Sequence, residues 1–423
     1  MLMRSPQSIP GLWRHPDFLR LWAAQTASFV GSQITLLAIP VLAVVTLEAS
    51  ALQMGVLAAT GVLPTPLVGL LAGVWTDRLP RRAILITSDI GRAALLATIP
   101  VMAVLDLLSF TYLCIVSLLV GTLGTFFEIA HPSLLPTLVH RDQLVDGNSK
   151  LEISRSGSLI VGPGLAGALI HLLTAPVAIV LDACTYLISA GLLARIRTGE
   201  DRARPIRATR GAWAEAREGL ALVRHNRLLA SMAMSLAVFN LFSSMINALL
   251  VLYAVRQLGL SPAELGLVFA AGSAGFPVGA AAAGWVARRI GVGWAIILGA
   301  IVSDLALLLI PLAGAIPGGA LSLLIASRVI ATLGGPITAI NQLSLRQAIT
   351  PPHLLGRTNA TMLVLALALA PIGGLVAGLT ADVFGIGLTM VVAAIGVQAG
   401  FVVLLVSPIG TIRTLPGSPA SLS

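Results

Sequence analysis

Twelve apolar stretches, each long enough to cross the hydrocarbon core of a membrane, follow one another along this chain of 423 residues. A helix needs roughly 20 mostly apolar residues for that crossing, because lipid offers no partner to a backbone N–H or C=O. The spans run over 18–47, 51–75, 83–105, 109–130, 153–173 and 176–194, then 228–252, 263–287, 293–313, 319–341, 358–384 and 386–407. Charged residues make up only 10% of the chain, against about 25% in an ordinary soluble domain. A water-soluble fold is thereby excluded. The fold class is all-α integral membrane, with twelve transmembrane helices in two pseudo-symmetric six-helix bundles.

The net charge of +9 would suggest a nucleic-acid partner in a soluble protein. The positions of the charges argue otherwise. Arg14 and Arg20 flank the start of span 1, Arg78, Arg81 and Arg82 follow span 2, and Arg141 and Lys150 follow span 4. Arg195 to Arg227 follow span 6, Arg288 and Arg289 span 8, Arg346 and Arg357 span 10, and Arg413 span 12; the intervening loops contribute only Arg256. This one-sided distribution is the positive-inside pattern, which predicts a multi-pass protein of the cell (inner) membrane with both termini cytoplasmic. No nucleic-acid partner is expected, membrane lipids surround the spans, and no removable signal peptide is read at the N-terminus.

Residues half a chain apart correspond. Arg14-His15-Pro16 resembles Arg224-His225-Asn226, Gly73 matches Gly284, and Asn148, Gly162 and Gly167 match Asn359, Gly373 and Gly378, always at an offset of 210 or 211. A constant offset marks an internal repeat. It divides the chain into a first bundle (1–194), a basic cytoplasmic linker (195–227), a second bundle (228–407) and a cytoplasmic tail (408–423) that reads as disordered. Within the linker, Trp213, Ala216, Leu220 and Val223 recur at helical spacing and predict a short interfacial helix. Cys114 and Cys184 lie in apolar runs without metal-type spacing and read as buried small hydrophobes. His131, His140 and His171 read as loop or interface residues. The sole lysine, Lys150, follows Ser149 rather than Gly, so the phosphate-binding G-x-x-x-x-G-K-[ST] is absent, as are H-E-x-x-H and G-x-S-x-G. Neither an enzyme, a metal site nor a cofactor is expected.

Span 2 ends in Gly73-Val74-Trp75-Thr76-Asp77-Arg78-Leu79-Pro80-Arg81-Arg82. This resembles the G-x-x-x-D-R-x-G-R-R signature of the major facilitator superfamily, with Pro80 in place of the second Gly. Gly73 permits close helix approach, and Asp77 suits a helix N-terminus or an arginine, so Gly73, Asp77, Arg78, Arg81 and Arg82 suit a cytoplasmic gate. The second copy places Arg288 where Asp77 stands, which predicts a weaker latch there. Asp89 and Arg92 share a helical face beside the gate and read as an ion pair, with a proton relay as the alternative. The segment from Phe127 to Leu144 is similar to one found in the exporters related to the enterobactin exporter and the macrolide efflux proteins, with Ile129 and Ser133 departing from it. Gly157, Gly162, Pro163 and Gly167 in span 5 are similar to the Gly-Pro motif of drug/proton antiporters, and a helix bend is expected at Pro163.

The resemblance implies a cavity between the bundles, lined by spans 1, 4, 7 and 10 and opening alternately to each side. Gln25, Ser28, Ser32 and Thr35 form one polar stripe on span 1, and Asn240, Ser243, Ser244 and Asn247 form another on span 7. Either stripe can line the cavity or serve helix packing. Arg328, in the middle of span 10, is costly to bury and needs water, an acid or an anionic substrate. Glu128, Asp182 and Asp304 are the candidates for proton coupling, which the resemblance implies. The function expected is export of amphiphilic small molecules (drugs or siderophores) by proton antiport, in a monomer; a proton-coupled nutrient importer is the alternative.

Overall fold

The computed structural model describes residues 12–69, 79–140, 143–197, 212–351 and 354–414. Among them twelve helices are long and apolar enough to cross a membrane: Pro16–Val45, Ala51–Gly69, Arg81–Val104, Phe110–Ser133, Leu144–Leu173, Ala175–Ala194, Arg227–Arg256, Pro262–Ile290, Val292–Leu312, Ala320–Ile349, Thr361–Phe384 and Ile386–Leu405. They are spans 1 to 12 below. Spans 5 and 10 extend well beyond their apolar runs, to Leu144 and Ile349. Hydropathy marks where lipid begins, whereas a helix continues as long as its backbone bonds do.

The repeat is visible in the backbone. Spans 2 and 8 both open on a capping box, Ser50 with Gln53 and Ser261 with Glu264, which satisfies two of the first-turn N–H donors of each helix. The turn into span 6 places Thr174 at φ 84°, and the corresponding turn into span 12 places Gly385 at φ 84°. Within each half, spans 1 and 6, and spans 7 and 12, pack along their lengths. The halves join through two equivalent crossings, span 5 on span 8 and span 2 on span 11. Both crossings are made by glycine. A Cβ on Gly167 would stand 2.6 Å from Gly266 Cα, and one on Gly378 would stand 2.8 Å from Leu52 Cα and 3.0 Å from the Ala51 carbonyl oxygen, one turn from Gly55.

The buried apolar residues fall into three groups. One core is common to both halves and runs from Ile34, Met54 and Ile170 of the first to Leu249, Leu265 and Ala377 of the second. It lies toward the loops that join spans 1 to 2 and 7 to 8. At the opposite end, where Leu12 and Ile409 lie, each half has its own core. Phe18, Leu85, Phe127 and Leu193 build the first, and Leu229, Ile296, Leu345 and Leu404 the second. Among the described residues the apolar core is therefore continuous between the bundles at one end and divided at the other.

Two expectations change. The start of the tail is ordered: Ile409 is fully buried, and the Ile412 and Arg413 carbonyls accept from the Gly293 and Val292 N–H groups at 2.8 and 3.1 Å. An uncapped helix start needs such acceptors, and span 9 takes them from the chain end. Cys114 is buried as expected, but Cys184 is exposed on the protein surface, where a small apolar residue on a lipid-facing helix needs no cover. The linker helix covers Ala212–His225. It packs on the Leu355–Ala368 helix that leads into span 11, with Val223 buried in the second-half core and Leu220 exposed.

Candidate transport site

Each half carries a recess. The first, of about 400 Å³, is lined by Phe29 of span 1, Glu128 and His131 at the end of span 4, and Asn148, Glu152 and Arg155 of span 5. Phe29 stands edge-on to His131 at 6.1 Å, and Phe127 stacks on it at 6.2 Å. Glu128 is exposed, and Glu152 pairs loosely with Arg155 at 3.8 Å. The second recess, of about 350 Å³, lies among spans 7 to 10 and is lined by Phe239, Ser243, Asn247, Phe276, Arg328 and Ile340. Both fall in the size range of small-molecule sites.

Arg328 is held on three sides. Its Nη2 donates to Asn247 Oδ1 at 3.0 Å, and its guanidinium lies over the Phe269 ring at 5.2 Å. Gly272 of span 8 sits against its stem so closely that a Cβ there would lie 2.6 Å from Arg328 Cβ. One turn on, Thr332 Oγ1 donates to the Gly272 carbonyl, fixing span 10 against span 8 at the same level.

The first half contains a buried polar network that joins spans 1, 3, 4 and 6. Arg92 donates to Asp89 in an ion pair, and Ser189 Oγ donates to the other Asp89 oxygen at 2.6 Å. The Arg92 guanidinium is sandwiched between Phe127 at 4.5 Å and Tyr186 at 4.2 Å. Tyr186 in turn shares a hydrogen bond of 2.9 Å with Ser32. Beyond it, Asp182 accepts from the Thr35 hydroxyl and, at 3.1 Å, from Thr185. Asp89 and Asp182 are both 0% exposed. Asp89 has a cation; Asp182 has none among the described residues. Gly31 makes this closeness possible, because a Cβ there would overlap Thr185 Oγ1 and Asp182 Oδ1.

Two residues of the span-1 stripe thus turn toward span 6. Ser32 and Thr35 bond into the network, while Gln25 and Ser28 are buried nearby at 1% and 2% exposure. On span 7, Ser243 and Asn247 line the second recess. Asn240 returns its amide to the Leu236 carbonyl at 2.8 Å, and Ser244 bonds Leu241 against Gly373. Asp304 is 3% exposed at the seam of spans 9 and 12, beside Gly400.

Gly73, Asp77 and Arg78 lie outside the described residues. Arg81 donates to the Ser133 carbonyl at 3.0 Å and Arg82 to the Leu193 and Ala194 carbonyls. These bonds stay within the first half, where cations satisfy the carbonyl ends of spans 4 and 6. Span 5 continues as one helix through Pro163. Gly162 lets the Gln33 side chain of span 1 pass, Gly167 meets Gly266, and Gly157 faces open space.

Thr185, Tyr186 and Ser189 were not singled out in the sequence. With Asp182 they form a three-and-four-spaced polar stripe on span 6, the same signal that marks span 1.

The model of the transmembrane secretion effector family matches residues 11–418. The chain is 30% identical to the multidrug efflux pump Tap of Mycolicibacterium fortuitum, over 89% of this chain and 91% of that one. It is 25% identical to macrolide efflux protein A of Streptococcus pyogenes, over 87% and 90%. Among solved structures, a bacterial homologue of the iron transporter ferroportin in its inward-facing state superposes with a TM-score of 0.75 at 17% identity, covering 92% of this chain and 98% of that one. The nucleoside transporter NupG gives 0.72 at 12% identity, covering 92% and 98%. With its twelve spans and two-bundle fold, the chain is a multi-pass membrane protein that belongs to the transmembrane secretion effector family of the major facilitator superfamily.

Proposed function

We propose that this protein exports amphiphilic small molecules across the cell membrane by proton antiport, working as a monomer through alternating access. The observation that carries the reading is the unequal division of the core, shared by both halves at one end and split in two at the other. The split end is also the end of the arginine-rich loops, so positive-inside logic turns it to the cytoplasm. A core divided on that side suits an inward-facing state, which importers and exporters both visit, so the outward direction is read from relatives. Similarity to two efflux proteins supports this direction.

Coupling is assigned to Asp182, with Asp304 of span 9 as the second-half candidate. Asp89 is committed to Arg92, so protonating it would disturb an ion pair. Loading or unloading Asp182 breaks none, and its donors Thr35 and Thr185 sit on two helices that must move together. Cells expressing the protein should accumulate less of an amphiphilic dye while the pH gradient stands, and the difference should vanish when the gradient is collapsed. Equal accumulation across a broad panel of dyes and antibiotics would refute the proposal.

A further inference from the structure

Arg328 is the one guanidinium lining the second recess, and its surroundings leave it short of acceptors. It donates to Asn247, but its Nε–H is buried without an acceptor, and among the described residues no carboxylate lies within ion-pair distance. A guanidinium offers five N–H donors in a planar fork that fits an oxyanion. The other recess residues do not quench it. Phe239, Ile246, Phe276, Leu307 and Ile340 are apolar, and Ser243 and Ser303 supply hydroxyls only. The charge is also fixed in place. Gly272 and Phe269 of span 8 clamp the stem and the face of the guanidinium, and Thr332 pins the two helices together below it. A cation kept rigid, poorly supplied with acceptors and backed by aromatic walls is the arrangement an anionic amphiphile would complete.

We propose that Arg328 and Asn247 bind the carboxylate of an amphiphilic substrate whose apolar body lies against Phe239, Phe276 and Ile340. This deepens the exporter reading and rests on it for the word substrate; the binding site itself can be tested without transport. The recess of about 350 Å³ admits an aromatic acid of a few fused rings, and the charge disfavours a cationic group at the same position.

The test uses the purified full-length protein in detergent and two fluorescent probes of nearly equal shape, pyrenebutyrate and its neutral amide. Wild-type protein should bind the acid about tenfold more tightly than the amide, the ratio that one charge-assisted contact supplies. Arg328→Gln should bring the ratio of acid to amide binding to about one, and Arg328→Lys should retain part of the preference. Asn247→Asp provides a second variant that keeps the arginine: a carboxylate beside the guanidinium should compete with the acid and abolish the preference. Equal binding of acid and amide to the wild type, or an undiminished preference in Asn247→Asp, would overturn the proposal. Reconstituted vesicles separate this failure from failure of the exporter reading. Transport of both probes without charge preference overturns the carboxylate site alone, whereas Arg328-dependent acid binding without transport upholds the site and removes the export function.

Discussion

Gly167 and Gly266 meet across the boundary between the halves, with room at neither for a single added carbon. Backbone against backbone is the closest approach two helices can make, and small residues are what permit it in a membrane. Gly167→Val should force spans 5 and 8 apart at the sealed end. In a background lacking Cys114 and Cys184, a cysteine at Ala51, which is 7% exposed beneath the equivalent crossing, should then react faster with a maleimide. Unchanged labelling would mean that the two crossings do not open together.

Asp182→Asn keeps one side-chain oxygen to accept from the Thr35 hydroxyl, while its new N–H can donate to Thr185, whose own hydroxyl still bonds the residue 182 carbonyl, so folding should survive. Its exchangeable proton is gone. Substrate exchange at equal concentrations should persist in reconstituted vesicles, while accumulation driven by a pH gradient should fall to background. Gradient-driven accumulation at the wild-type rate would move the coupling away from Asp182.

Arg92→Leu strands the Asp89 carboxylate, which is 0% exposed, and empties the space between Phe127 and Tyr186. Removing one partner of a buried ion pair costs about 3–5 kcal/mol, so thermal unfolding in detergent should shift sharply downward. The double variant Asp89→Leu with Arg92→Leu should recover much of that loss, because no charge is left alone. If the double variant unfolds as early as the single one, the aromatic sandwich rather than the charge is what matters.

Thr174 adopts φ 84°, where its counterpart at 385 is glycine. A non-glycine residue held in such a conformation costs on the order of 1–3 kcal/mol, partly offset by the extra freedom glycine gives the unfolded chain. Thr174→Gly should therefore raise the unfolding temperature, and Gly385→Thr should lower it. A neutral result for both would show that lipid and neighbouring turns absorb the strain.

The twelve spans and the two halves were legible because lipid imposes a length and a composition on every crossing helix, and because duplication left a constant offset. The Asp89–Arg92 pair was legible from its spacing alone. The orientation of polar stripes was not. Spacing shows that Gln25, Ser28, Ser32 and Thr35 share a face, but only the position of Gly31 against Thr185 and Asp182 brings Ser32 and Thr35 onto span 6. The glycine crossings were hidden for a similar reason. The chain contains 42 glycines, and which of them bring helices into contact depends on partners far away in the sequence. The ordered start of the tail was not legible because its apolar anchors, Ile409 and the half-buried Ile412, have no period to betray them.

The two glycine crossings are related by the same internal symmetry, and both must part if the sealed end is to open. Neither can yield alone without shearing the common core between them. In the proposed alternating access, the transition would therefore be cooperative: intermediate openings are penalised, and the population divides between two end states. On that proposal a solute leak would require both seals to fail at once, so a passage for an exported molecule can coexist with a membrane that holds its proton gradient.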